Sequence, residues 1–369
     1  KSCWDQTCSY PKRADPMVQG NGLGMVASGG LALVVGASGL VFYSGLRRVQ
    51  CLAAARSRLN ELIVHAGGNA RVVITGATSG IGLELARQFA CHPSVSVLVG
   101  CRDMAVGRRL FGTDPSVRVL PLELLDFDSV ESFSVEAHTF LNGGSAGLRM
   151  LFNNAGVMKA PVGSGGTDST AELHPVWKTN FLSPFLLTEL LAIHRVRARS
   201  IHPLYVVDTS SRLERRSKLD VTLLDGVRQG RCGSETYSDS KRAVMLWTSS
   251  SAQRLNFQGN MFMYAATPGM VDTQLGRHSV PRFIWPLTKP LRFLMLRSPA
   301  EGALGIAAAG LRDGPTTCSG RYYDGERELE NLVATRESDA PLASELHQWA
   351  SQCTDLQNRS TRGVAQGTL

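Results

Sequence analysis

The sequence predicts an α/β protein, a doubly wound parallel sheet with helices on both faces. Three observations predict it. Short β-branched or apolar runs alternate with longer segments of helical spacing from residue 71 onward. The first run, Val72-Val73-Ile74, passes through a glycine-rich turn into Leu83-Glu84-Leu85-Ala86-Arg87-Gln88-Phe89, which has helical spacing. The rest of the chain shows no second core and no internal repeat.

The elements follow in order. Residues 1–20 are polar and irregular, and no charged residue occurs from Pro16 to Leu46. Met25 to Leu46 is apolar and long enough to cross a bilayer as a helix, which places a transmembrane helix within residues 21–46. Arg47, Arg48, Arg56 and Arg58 follow at once, so the positive-inside rule puts the next domain on the cytosolic side. Lys12 and Arg13 on the other flank weigh the other way. Residues 47–70 form a basic linker, helical from Leu52, and residues 71–335 the main domain. Within it the expected strands are Val72–Ile74, Val95–Val99, Val117–Leu120, Leu148–Phe152, Tyr205–Asp208 and Phe262–Ala265. The expected helices include Val130–Leu141, Phe181–Val196 and Glu235–Leu255. Residues 336–369 are expected as a peripheral, partly helical tail.

Charge and cysteine content narrow the function. The net charge is +8 at pH 7, with basic clusters at Arg195–Arg199 and Arg212–Lys218. Few aromatics are interleaved with them, so they read as solvated faces and not as a nucleic-acid surface. The eight cysteines show no Cys-x-x-Cys pair and no Cys/His spacing for zinc, and no metal site is expected.

The chemistry is expected at the carboxyl edge of the sheet. Gly76, Gly80 and Gly82 let backbone approach a pyrophosphate, and the following helix supplies unpaired N–H donors. Taken alone, this Gly-x-x-x-Gly-x-Gly spacing also suits an ordinary βα loop. Ser210 and Ser211 follow the fifth strand, and Tyr237 and Lys241 lie four apart on one helix face. An ammonium beside a phenol lowers the phenol's pKa, and a serine hydroxyl can hold a substrate oxygen. Asn180 could carry a water that relays protons to Lys241.

Thr75-Gly-Ala-Thr-Ser-Gly-Ile-Gly82, Asn153-Asn-Ala-Gly156, Asn180, Ser211, Tyr237-Ser-Asp-Ser-Lys241 and Pro268-Gly-Met-Val-Asp-Thr273 stand in the order and spacing of the short-chain dehydrogenase/reductase superfamily. The resemblance covers about Arg71 to Glu330. It implies a single-domain Rossmann fold, a nicotinamide cofactor and a catalytic tetrad of Asn180, Ser211, Tyr237 and Lys241. Tyr237 is then the acid/base, and Ser211 the substrate-orienting serine, with Ser210 as the other candidate. The implied cofactor contacts are Gly76, Thr78, Ser79, Gly80, Ile81, Gly82, Glu123, Leu124, Asn154, Ala155, Gly156, Tyr237, Lys241, Pro268, Gly269 and Thr273. Leu219–Gly226, Gly320-Arg-Tyr-Tyr-Asp324 and the membrane segment resemble the retinol-dehydrogenase-like branch.

Two positions depart from the family pattern. Pro184 stands shortly after Asn180, where the branch often has glycine nearby, and Glu123-Leu124 replaces the usual Asp-Leu. Arg102, just past the second strand, suits the 2′-phosphate of NADPH and makes NADH the poorer partner. Asp103 beside it could neutralise that charge. The expected protein is therefore an oxidoreductase anchored in the endoplasmic reticulum or a similar membrane. It would use NADPH to interconvert a lipophilic carbonyl and its alcohol, with reduction favoured. The alternative is a cofactor-binding pseudoenzyme acting as a membrane-tethered scaffold. Segment 283–296 is bulky, apolar and basic; the resemblance implies that it covers the substrate, and it suits either the membrane interface or a plain hydrophobic lid packed on the core. A homodimer is left open.

Overall fold

The computed structural model describes residues 57, 59–61, 63–64, 68–144, 147–159, 173–228, 235–271, 296–311, 319–324, 327–328 and 339–365. The expected transmembrane helix lies outside them. Among the described residues no helix is long and apolar enough to cross a membrane.

One sheet organises the chain. Its strands are β1 (Ala70–Thr75), β2 (Val95–Cys101), β3 (Val117–Pro121), β4 (Leu148–Asn153), β5 (Leu204–Thr209), β6 (Met261–Thr267), β7 (Arg321–Asp324) and β8 (Arg327–Glu328). Their spatial order is β3-β2-β1-β4-β5-β6-β7-β8. Pairing is parallel throughout except for the last pair, which is antiparallel. The order reverses between β1 and β4, so a crevice opens at their carboxyl ends.

The helices are α1 (Gly80–Ala90), α2 (Met104–Phe111), α3 (Phe127–Asn142), α4 (Ser183–Arg197), α5 (Val221–Arg228), α6 (Thr236–Gly259), α7 (Pro299–Leu311), α8 (Asp339–Cys353) and α9 (Leu356–Ala365). Alternate residues of each central strand feed two cores. Val73, Leu98, Leu151, Val206 and Met263 face α3, α4, α6 and α8. Val72, Ile74, Val97, Met150, Phe152 and Val207 face α1 and α7. A strand covered on both sides has no polar face, which is why these strands read as continuous apolar runs.

Every expected strand is present, within about two residues at each end. Among the elements without a counterpart in the sequence reading are α7 and β7. Helix α7 is rich in alanine and glycine and buried along most of its length, so it carries no amphipathic stripe. Strand β7 has four residues and gains its identity only by pairing with β6.

The expectation of a peripheral tail does not hold for α8. Leu342, Ala343, Leu346, Trp349 and Ala350 are buried and belong to the core beneath α4 and α6. Their spacing marks one face of a helix. Trp349 meets Trp177 edge-on, with ring centroids 5.4 Å apart, and stacks on Phe181 at 6.3 Å. The first residue of α8, Asp339, takes Nη2 of buried Arg242 on both carboxylate oxygens, at 2.9 and 2.8 Å. Arg359 on α9 reaches Asp128 and Glu131 on α3.

Trp349→Ala should lower the unfolding free energy by about 3–5 kcal/mol, as for other buried aromatic truncations. Chemical denaturation measures it. A loss within about 0.5 kcal/mol, the usual surface value, would show that α8 is peripheral after all.

Candidate active site

The site begins where β1 ends. Thr75 Oγ1 accepts from the N–H groups of Asn154 and Ala155, both at 3.1 Å. Asn154 returns the link by donating Nδ2 to the Thr75 carbonyl at 3.1 Å. The ends of β1 and β4 are thereby locked side by side. Gly76 turns there with φ of 68°, and a Cβ on it would lie 2.8 Å from the Ala155 Cα. A Cβ on Gly82 would lie 2.3 Å from the Gly76 carbonyl oxygen. Only glycine fits either place.

Helix α1 opens at Gly80, and its N-cap residue Ser79 makes no side-chain cap bond. The first-turn N–H donors of α1 thus face a cleft of about 310 Å³. Gly76, Thr78, Ser79, Gly80, Ile81, Gly82, Arg102, Glu123, Leu124, Asn154, Ala155 and Gly156 all line it, as expected from the sequence. Uncapped helical donors, a glycine-only cradle and an arginine fit a dinucleotide. Arg102 is exposed at the rim. Asp103 does not pair with it. Its Oδ1 caps α2 instead, accepting from Ala105 and Val106 at 2.9 and 3.1 Å. Glu123 Oε1 accepts from the Leu125 N–H at 2.9 Å, which fixes the carboxylate within its own turn.

The tetrad candidates converge beside Gly156. Asn180 lies in a π-turn, Lys178–Leu182, ahead of α4. Pro184, in the first turn of α4, has no N–H to give the Asn180 carbonyl four residues back. The departure from the family pattern therefore opens the helical ladder at Asn180 and does not break the helix. The Asn180 amide is held on three sides. Oδ1 accepts from the Val157 N–H at 2.8 Å, and Nδ2 donates to the Val157 carbonyl at 2.9 Å and to Ser240 Oγ at 3.0 Å. A Cβ built on Gly156 would be 3.4 Å from both Asn180 Oδ1 and Lys241 Nζ, so these two polar groups flank one point.

Tyr237 and Lys241 share a face of α6. Lys241 Nζ lies 5.9 Å from the Tyr237 ring centroid and donates to the Thr209 carbonyl at 2.7 Å. Burial lowers the Lys241 ammonium to about 8, against the opposing charge of Asp208. The phenol does not follow the expected direction. Burial raises its pKa, and the hydrogen bond with Ser211 offsets this only in part. The ammonium is committed to a carbonyl, and desolvation of the phenolate outweighs it.

The two serines separate clearly. Ser211 is half-buried and bonded to the Tyr237 hydroxyl. Ser210 is buried, with Oγ 3.3 Å from the Lys241 carbonyl. Pro268 and Gly269 follow β6, and Gly269 has φ of 77°. Val271 and Arg297 form a bridge, so the chain leaves and returns at one point between them. Thr273 and residues 283–295 lie outside the described residues.

Among the residues that escaped the sequence reading are Val157 and Ser240, which hold Asn180, and Asp208. Asp208, on β5, is fully buried; it accepts from Asn153 Nδ2 and lies 2.8 Å from Thr248 Oγ1. Thr248 Oγ1 is also 2.8 Å from the Val244 carbonyl. A hydroxyl has one proton, so a protonated Asp208 satisfies both contacts. The signal was a carboxylate in an otherwise apolar strand.

A family model described as short chain dehydrogenase matches residues 70–212. Dehydrogenase/reductase SDR family member 13 from Bos taurus is 34% identical over 307 residues, 80% of this chain and 73% of that protein. The chain belongs to the short-chain dehydrogenase/reductase family. Human retinol dehydrogenase 12 is 34% identical over 259 residues, 68% of this chain and 76% of its own length. The family branch is the retinol-dehydrogenase-like one. A solved structure of an uncharacterised protein from Mycobacterium paratuberculosis is 27% identical, with a TM-score of 0.53 over 77% of this chain and 93% of its own.

Burial raises Asp208 to about 6 from 3.8. A carboxyl raised on folding stabilises the fold fully below the unfolded value, and that contribution is lost as pH rises through 6. Against Asp208→Asn, the wild type should therefore lose roughly 2–3 kcal/mol of stability between pH 4 and pH 7. Urea unfolding of both proteins at several pH values reads this difference. A difference that does not change with pH would show an ordinary, ionised carboxylate.

Proposed function

We propose that this chain is a membrane-anchored, NADPH-dependent reductase of lipophilic aldehydes or ketones, with Asn180, Ser211, Tyr237 and Lys241 as its catalytic group. The observation that carries the reading is the grouping itself. Ser211 is bonded to Tyr237, and Lys241 and Asn180 flank Gly156 at the inner end of a cleft rimmed by Arg102.

A nicotinamide bound in that cleft would supply or take the hydride. Ser211 orients the substrate oxygen. Tyr237 holds its proton, since burial raises its pKa, and gives it to that oxygen as the carbonyl becomes an alcohol. Lys241, protonated below about pH 8, places positive charge where the phenolate develops. Asn180 is fixed by Val157 and Ser240, which suits it to steady a proton path behind Lys241. The backbone donors at the start of α1, with Thr78 and Ser79, would hold the pyrophosphate. Arg102 would take the 2′-phosphate, and Asp103 does not oppose it because it caps α2.

The substrate class follows from kinship and from sequence. A relative is named for retinol, and the chain carries an apolar stretch at residues 21–46 and a bulky apolar segment at 283–296. A retinoid, sterol or polyprenoid carbonyl fits these features. The reading places the protein in the endoplasmic reticulum or a similar membrane, catalytic domain toward the cytosol.

Tyr237→Phe should lose most turnover of a long-chain aldehyde while NADPH binding, followed by fluorescence, survives. Lys241→Ala should damage both. Wild-type turnover in Tyr237→Phe would remove Tyr237 as the acid, and a cell phenotype untouched by it would favour a scaffold.

Arg102→Asp should weaken NADPH binding about ten- to a hundredfold, the loss of a charge-assisted contact worth roughly 1.5–3 kcal/mol. Titrating both cofactors reads the preference. An unchanged NADPH/NADH ratio would sink the role of Arg102.

A further inference from the structure

The opposite edge of the sheet holds a second polar cavity, at the amino ends of β2, β1 and β4. Its volume is about 140 Å³, and Asn69, Arg71, Ser94, Ser96, Gly144 and Arg149 line it. Register explains the grouping. Arg71 is the partner of Ser96 on one side and of Arg149 on the other. Partners in register project from the same face of the sheet, so two guanidiniums and a hydroxyl stand in one row. Like charges placed directly opposite destabilise a sheet unless something compensates them.

The compensation within the chain is incomplete. Arg71 Nη1 donates to the Phe140 carbonyl at 2.9 Å, and Arg149 Nε to the Leu141 carbonyl at 2.7 Å. Both carbonyls belong to the last turn of α3, whose dipole end carries only about half a charge. Arg149 Nη1 donates to the Gly147 carbonyl at 2.7 Å. Arg149 is 1% exposed, yet its Nη2 has no partner among the described residues. Neighbouring Arg195 is 2% exposed and donates to the carbonyls of Gly259 and His202, while its Nη1 also has no partner there. No carboxylate among the described residues pairs with Arg71, Arg149 or Arg195. Burial and Arg149 lower Arg195 to about 10. Helix capping accounts for three of these donor groups and leaves the surplus charge unanswered.

The geometry points to a binding site for a phosphate-class oxyanion at this edge, held by Arg71 and Arg149 with Ser94 and Ser96. The guanidinium N–H groups left over after the Phe140, Leu141 and Gly147 carbonyls, with two hydroxyls, still offer more donors than the two oxygens of a carboxylate accept, and suit a tetrahedral phosphate. Asn69 Oδ1, a buried acceptor without a partner among the described residues, matches the hydroxyl of a hydrogen phosphate or phosphomonoester. The site is separate from the cofactor cleft, which opens at the other ends of the same strands. The ligand is free phosphate or the phosphomonoester headgroup of a lipid.

The full chain, in detergent, is titrated with inorganic phosphate against sodium chloride at equal ionic strength, read by calorimetry and thermal melting. Phosphate should bind and raise the melting temperature where chloride does not. Arg102→Gln should keep this response, which separates it from the cofactor cleft. Arg149→Met and Arg71→Gln should each weaken phosphate at least tenfold. Arg71 is only half-buried, so its variant carries the test if Arg149→Met does not fold. Vesicles containing phosphatidic acid in phosphatidylcholine are then added. Competition with phosphate assigns the site to a lipid headgroup, and its absence assigns it to a small phosphate. A wild type without a phosphate-specific response, or a response lost in Arg102→Gln, would overturn the site and leave the arginines as caps of α3.

Discussion

The close approach of two backbone turns, at Gly76 and at Asn154–Gly156, is the constraint on which the rest of the site depends. It brings the ends of β1 and β4 within hydrogen-bond reach through Thr75 and Asn154. A side chain at Gly76 or Gly82 would push these turns apart. With them together, α1 starts at the crevice floor and its free donors point where a pyrophosphate would lie. Gly156, on the same turn, then has no side chain to fill the space that Asn180 and Lys241 share. The glycine cradle and the grouping of Asn180 with Lys241 are thus two sides of one steric condition.

Helix α6, which carries Tyr237 and Lys241, is held from beneath and from behind. On one side Lys241 is tied to Thr209, next to the buried Asp208, which links β4 and α6 through Asn153 and Thr248. On the other side Arg242 is paired with Asp339 at the start of α8. A buried pair of this kind adds little net stability, but removing one partner leaves an uncompensated charge. Its effect here is positional: it fixes the residue beside Lys241. The aromatic contacts of Trp349 with Trp177 and Phe181 brace the π-turn that carries Asn180.

The strands divide the basic character of the chain between two edges. At the carboxyl edge Arg102 is exposed at the rim of the cleft. At the amino edge Arg71 and Arg149 are forced side by side by the parallel register, and Arg195 joins them from α4. The run Arg195–Arg199 is therefore not wholly a solvated face, since Arg195 is buried.

The sequence by itself determined the sheet and which candidate side chains lie close together within one turn or one helix. Apolar runs mark strands that have no solvent face, and Gly76, Gly82, Tyr237 and Lys241 act through spacing within one turn or one helix. Such local geometry is written into residue order. Contacts between distant segments are not. That Ser211 and not Ser210 meets Tyr237 depends on how β5 sits against α6. That burial raises the phenol depends on what surrounds it. Helix α7 lacked a stripe because it is buried nearly all round, and α8 looked dispensable because its partners, Trp177, Phe181 and Arg242, lie about a hundred residues or more away along the chain. Arg71 and Arg149 became neighbours only through strand register, which the tertiary structure decides because it is set by pairing and not by the strand's own residues.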